Sequence, residues 1–253
     1  FEDRVRRFVA TKEVECEMLT SAIDFFLAWA PAVVPALVFL LLLVAPGVLV
    51  LAAAGGRTPA AFAYAPVVSM ALVGGGAVVA GALQLPWNGP VLLLISAAVA
   101  VPVAVAHLLL GGRSATFRAP RLRPTMPIVA ALAGLAVALL ITAWQYMRPN
   151  GSASTVAVSY DTVWHYSIVR RILSSGDASS LTVSVVDGTG GSSIYPSGWH
   201  ALVALVMQLT GASLPVAVHA SVIVIFGVVW PIAAMFLTIR LFGEDRSLVF
   251  VSG

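Results

Sequence analysis

The stretch Asp161-Thr-Val-Trp-His165-Tyr is followed by Arg170-Arg171, a Gly/Ser-rich interval, and then Tyr195-Pro-Ser-Gly-Trp-His200. It occupies most of 147–200, the one long polar interval in an otherwise apolar chain. Structureless connections beyond about 12–15 residues are usually functional or disordered. The hydrophobic runs on either side are long enough to be membrane spans. They would hold this interval at one face of a membrane, and any chemistry is expected inside it.

Composition supports that reading. Hydrophobic residues make up 60% of the chain and charged residues 10%, whereas soluble domains carry about 25% charged residues. The net charge of +3 is therefore no sign of a nucleic-acid partner; what matters is where the arginines fall. Cys16 is the only cysteine, which excludes an intrachain disulfide and a multi-cysteine metal site. A single lysine, Lys12, among many arginines, with abundant Ala, Val and Gly, resembles the bias of a GC-rich bacterial genome. Residues 1–17 mix acids and bases ahead of Met18 and read as a charged helix or as sequence upstream of a true start. A new apolar run begins at Phe250-Val-Ser-Gly253, which suggests a piece of a larger protein.

A span needs roughly 20 mostly apolar residues. Five stretches qualify: about 30–54, 60–83, 89–111, 126–147 and 214–239. Pro46 and Trp230-Pro231 mark expected kinks. Gly74-Gly-Gly76 is either a close helix contact or a flexible point. The run 198–210 is too short to cross and reads as a helix lying at, or dipping into, the interface. The expected fold is an all-α integral membrane protein of about five transmembrane helices plus an external loop with one or two interfacial helices. Its parts are a charged segment at 1–27, four spans within 28–147, the loop at 148–213, and a fifth span with a continuation at 214–253.

Arginines set the orientation. The connection after the third span holds Arg113, Arg118, Arg121 and Arg123 and no acid, so it is expected in the cytoplasm. Arg57, and Arg240 with Arg246, then fall on the same side, while the uncharged 84–90 turn and the 148–213 loop fall outside. Trp29, Trp87, Trp144 and Tyr146 all lie at outer ends, where amphipathic rings favour the interface. The expected location is a bacterial plasma membrane.

Within the loop, Asp161 opens a helical run to about Ser175, with Gly176 as its stop. At 100° per residue Asp161, His165, Ile168 and Ile172 share a face, with Arg170 and Tyr166 opposite. That face is expected to pack on the spans and turn Asp161 and His165 toward protein. Each residue also has a purely structural reading. Asp161 suits a helix first turn, and His165 suits an interfacial hydrogen bond. Arg170 and Arg171 can complement a helix end or lipid phosphates. Tyr195-Pro196 suits a rigid turn, Ser197 a cap, and Trp199 an interfacial anchor. His200 falls in a first turn, where the dipole disfavours its protonation. His107 and His219 lie near span ends, and intramembrane ionisable groups are functional candidates.

The order of these parts resembles the first external loop of GT-C-type membrane glycosyltransferases, which use polyprenyl-linked sugars. It is similar to oligosaccharyltransferase catalytic subunits, with a first-loop Asp and a later Tyr-Pro-x-Gly. It looks closer still to uncharacterised actinobacterial multi-pass proteins with Asp-x-x-x-His and Tyr-Pro-x-x-Trp-His. The likeness covers about 126–243. It implies that Asp161 is a general base toward an acceptor hydroxyl, or a ligand of a divalent cation in metal-dependent members, with His165 beside it. Only Asp161 is carried over by the likeness; the expected substrate-binding residues beside it are Arg170, Arg171, Tyr195, Trp199 and His200, with the two arginines candidates by type alone, since they point to opposite helix faces and cannot both serve. The chain departs from the pattern at Tyr160 and Thr162, where an acid pair would need a second carboxylate.

Two other readings stay open. One is a non-catalytic multi-pass protein, a transporter or envelope-assembly subunit, whose loop binds a lipid head group or a protein partner in the membrane. The other is a metal site formed by Asp161, His165 and His200, since Asp and His four apart on a helix can share a ligand.

Overall fold

A computed structural model describes residues 21, 23–56, 59–111, 128–156, 159–183, 194–243 and 246–253. The order is α1 (Ile23–Ala53), α2 (Pro59–Ala82), α3 (Gly89–Leu109), α4 (Val129–Asn150), α5 (Tyr160–Ser175), α6 (Gly198–Thr210), α7 (Leu214–Phe242) and α8 (Arg246–Ser252). Helices α1 to α4 and α7 each contain a run long and apolar enough to cross a membrane. The protein is a multi-pass α-helical membrane protein, and no strand occurs among the described residues. Large apolar side chains such as Leu37, Leu93 and Leu140 stand exposed on the outer faces of the spans. In a bilayer those faces meet lipid, so they carry no burial cost.

The spans lie where the apolar runs place them, with one difference at the start. Helix α1 begins at Ile23 and passes through a tight turn at Ala30–Ala32 before continuing. Pro31 sits at the head of that turn, where its missing N–H is tolerated. Pro46 lies within the helix, and the next amide, Gly47 N–H, donates to Ser69 Oγ of α2 at 2.8 Å. An amide released beside a proline is thus satisfied by a neighbouring helix. Gly47 also has to be glycine, since a Cβ there would overlap the backbone of Ala65. Pro149 and Pro231 each follow a wide π-type turn, at Ala143–Met147 and Ile225–Val229. Such turns relieve the clash of the proline ring with the preceding turn.

The arginine-rich connection 112–127 and Arg57 lie outside the described residues, as does the segment 1–17 with Cys16. The helix ends still alternate as a serpentine chain requires. Gly55 packs against the imidazole of His107, joining the end of α1 to the end of α3. At the other end the 84–88 turn meets the end of α5, where Trp87 N–H donates to the Gly176 carbonyl at 2.7 Å.

Helix α6 is the main departure from expectation. It does not lie along the surface. His200 and every residue from Ala201 to Val206 are buried, because this helix is apolar on all sides rather than along one stripe. Its first residue, Gly198, approaches Met70 and Gly74 midway along α2, and Gln208 near its end donates to the Trp87 carbonyl at 3.1 Å. The helix therefore runs from the middle of the bundle toward the 84–88 turn, as a re-entrant half-span. Of the four glycines in α2, Gly76 faces Ile95 of α3 and Gly81 faces Asp177 and Ser179, while the space beside Gly74 and Gly75 is open.

Candidate functional site

Non-helical backbone at this depth has to satisfy its polar groups within the protein. The segment before α6 does so. Tyr195 N–H donates to the Ser180 carbonyl, and Ser197 Oγ donates to the Ala178 carbonyl at 2.6 Å. Ser197 spends its hydroxyl there and makes no side-chain cap on α6, contrary to the role its position suggests. The partner segment 177–183 is a turn built around Asp177, which accepts from Ser179 N–H and Thr182 Oγ1. The Asp187-Gly188 turn lies outside the described residues.

Helix α5 is capped by Ser159, whose Oγ accepts from Thr162 N–H at 3.1 Å. It stops at Gly176, whose left-handed φ of 71° lets its N–H reach the Ile172 carbonyl. Ile168, Val169 and Ile172 are buried against α6 and the spans. Asp161 belongs to the same stripe but overhangs its end, and its side chain is 83% exposed. The stripe aims the carboxylate toward the bundle, yet nothing there covers the first turn. Tyr166, expected on the far side, is partly buried against the core, and burial raises its phenol pKa.

Three of the residues singled out by sequence form one line. Asp161 Oδ2 stands 3.3 Å from His165 Nε2. His165 Nδ1 stands 2.8 Å from His200 Nε2. The two imidazoles are stacked, with centroids 5.0 Å apart, and Trp199 meets both edge-on. The line thus leads from exposed carboxylate to buried ring. A tautomer series satisfies it: His165 Nε2–H faces the carboxylate, and His200 Nε2–H donates to His165 Nδ1. His200 Nδ1 is then a buried lone pair, and it makes no well-formed hydrogen bond.

The same line does not suit one metal ion. His165 uses opposite ring nitrogens toward Asp161 and His200, so the three residues cannot point lone pairs at a single centre. Among the described residues no group of three His, Cys, Asp or Glu side chains converges in that way.

A cavity of about 620 Å³ opens beside the line. Its lining is largely apolar: the rings of His165, Tyr195, Trp199 and His200 bring a few polar atoms to one side, and Val222, Ile225 and Phe226 of α7 form the other. Trp199 is not an interfacial anchor; its Nε1–H donates to Ser221 Oγ of α7 at 3.1 Å, within the bundle. The two arginines stand apart from the cavity. Arg170 is exposed, and Arg171 reaches the Thr182 carbonyl at 3.4 Å. Sequence reasoning did not single out Ser221, Val222, Ile225 or Phe226. A lone serine in a long apolar span was the available signal, since such a group needs a partner.

The two intramembrane histidines have different surroundings. His219 is buried and fully partnered, with Nδ1 at 2.6 Å from Tyr146 Oη and Nε2 at 2.8 Å from the Thr155 carbonyl. It ties the end of α4 and the 152–156 segment to α7, beside Trp29. His107 packs under Gly55 with its Nδ1 buried and unpaired.

Residues 40–253 match a family of unknown function, DUF6541, and the chain belongs to that family. No curated protein and no solved structure matches it.

Proposed function

We propose that the protein is a GT-C-like glycosyltransferase. It would take a polyprenyl-linked sugar at the outer face of the plasma membrane and glycosylate a cell-envelope glycan or protein. The observation that carries this reading is the line Asp161–His165–His200 beside a largely apolar cavity with a few polar atoms on one side. An acceptor hydroxyl is a weak nucleophile, and a carboxylate within reach takes its proton as the new bond forms. His165 holds Asp161 Oδ2 and leaves the other carboxylate oxygen for the acceptor. The acceptor oxygen bonds to the anomeric carbon, and its proton passes to Asp161. The bond from that carbon to the phosphate oxygen breaks, and its electron pair leaves on the lipid phosphate. His200 is a positioning residue that fixes the tautomer and rotation of His165. No step runs through either arginine, since Arg170 and Arg171 stand outside the cavity.

The test is sugar transfer by the full-length protein carrying Asp161→Asn. Loss of transfer at unchanged protein level supports the assignment, and retained transfer rejects it. The apolar bias of the cavity and the absence of a second acid beside Asp161 favour a second reading, a non-catalytic subunit or transporter that holds a lipid head group. In that case Asp161→Asn is silent.

A further inference from the structure

The 620 Å³ cavity has a neighbour. A second cavity of about 380 Å³ is lined by Phe39 and Leu43 of α1, Met70 of α2 and Val229 of α7, together with Trp199 and Ile225. Trp199 and Ile225 also line the first cavity. They are therefore the partition between a chamber with a few polar atoms on one side and a wholly apolar one. Both chambers lie within the spans: Ile225 is about 16 Å along α7 from Leu214, at 1.5 Å rise per residue. Their rims, at Phe226 and Val67, are exposed on the outside of the bundle, where the surrounding medium is lipid. An occupant that reaches both the His165–His200 end and these apolar walls needs a polar head and a hydrocarbon chain.

We propose that Trp199 is the specificity-determining residue that limits how much of a lipid chain the protein holds. With the indole in place, the chain fills the first chamber and leaves to the bilayer past Phe226. The indole walls that chain off from the second chamber, whose own opening to the bilayer lies at Val67. The bond from Trp199 Nε1–H to Ser221 Oγ keeps the partition shut, and Ser221 is itself oriented by donating to the Val218 carbonyl at 2.7 Å. The catalytic reading above supplies the head group's chemistry, but the chain site stands apart from it.

The experiment uses the full chain in phosphatidylcholine nanodiscs with hexadecyl phosphate carrying a diazirine on its chain. After irradiation, labelled residues are identified by mass spectrometry. Phe39 and Leu43 are 1% and 4% exposed, so they form the deep wall of the second chamber, away from its rim at Val67. The wild type is expected to label at Val222 and Ile225 and to stay at background at Phe39 and Leu43. Trp199→Ala should raise labelling of Phe39 and Leu43 at least fivefold, Ser221→Ala should raise it less, and Trp199→Phe should leave it low. Equal labelling of Phe39 and Leu43 in wild type, Ser221→Ala and Trp199→Ala overturns the partition. So does Val222 labelling no stronger than that from the same diazirine on phosphatidylcholine. Should Trp199→Ala fail to fold, the wild type and Ser221→Ala still decide. Labelling needs no sugar transfer, so an active Asp161→Asn protein with the expected labelling would leave the chain site standing while the transferase reading fell.

Discussion

His165 Nδ1 and His200 Nε2 lie 2.8 Å apart, joining the second turn of α5 to the first turn of α6 across a long stretch of chain. One partner rides on a half-exposed helix and the other is 3% exposed. The contact therefore couples a surface carboxylate, Asp161, to the interior of the bundle. His200→Gln keeps a hydrogen-bond partner for His165, whereas His200→Leu does not. Transfer activity is expected to fall about tenfold or more in the leucine protein and to be largely restored in the glutamine protein. A merely structural His200 would show no such rescue.

Close helix contact can be tested at Gly47. Its amide serves Ser69, and a side chain there would overlap the Ala65 backbone. Gly47→Val is expected to destabilise the protein by about 1–3 kcal/mol or more, as overpacking does. Denaturant unfolding in mixed micelles measures it. Gly75→Ala, where the space is open, should be nearly neutral.

The five spans, the α5 helix with its Gly176 stop, and the limits of α6 were legible because apolar run length and glycine position are local properties. The depth of α6 was less so, although Ala201-Leu-Val-Ala-Leu-Val206 has no polar stripe to turn toward water. Ser197, Trp199 and Tyr166 carried roles that depend on which element packs beside them. Ser197 reaches back to Ala178, and Trp199 reaches across to Ser221. No spacing rule finds such partners. The helical period placed Asp161 and His165 on one face, but not the fact that the stripe ends before Asp161 is covered.

Sidedness rests on arginines that lie mostly in 112–127, outside the described residues. Ser174 is exposed on α5, which makes it a suitable reporter. With Cys16 replaced by serine, Ser174→Cys should react with a membrane-impermeant maleimide in intact cells. Reaction only after permeabilisation would put α5 in the cytoplasm.

The most direct test is transfer of labelled sugar from the lipid-linked pool in membranes containing the full-length protein, wild type against Asp161→Asn. A fall of about a hundredfold or more at equal protein level, in line with removal of a general base, is the result predicted here. Activity within twofold of wild type would contradict it.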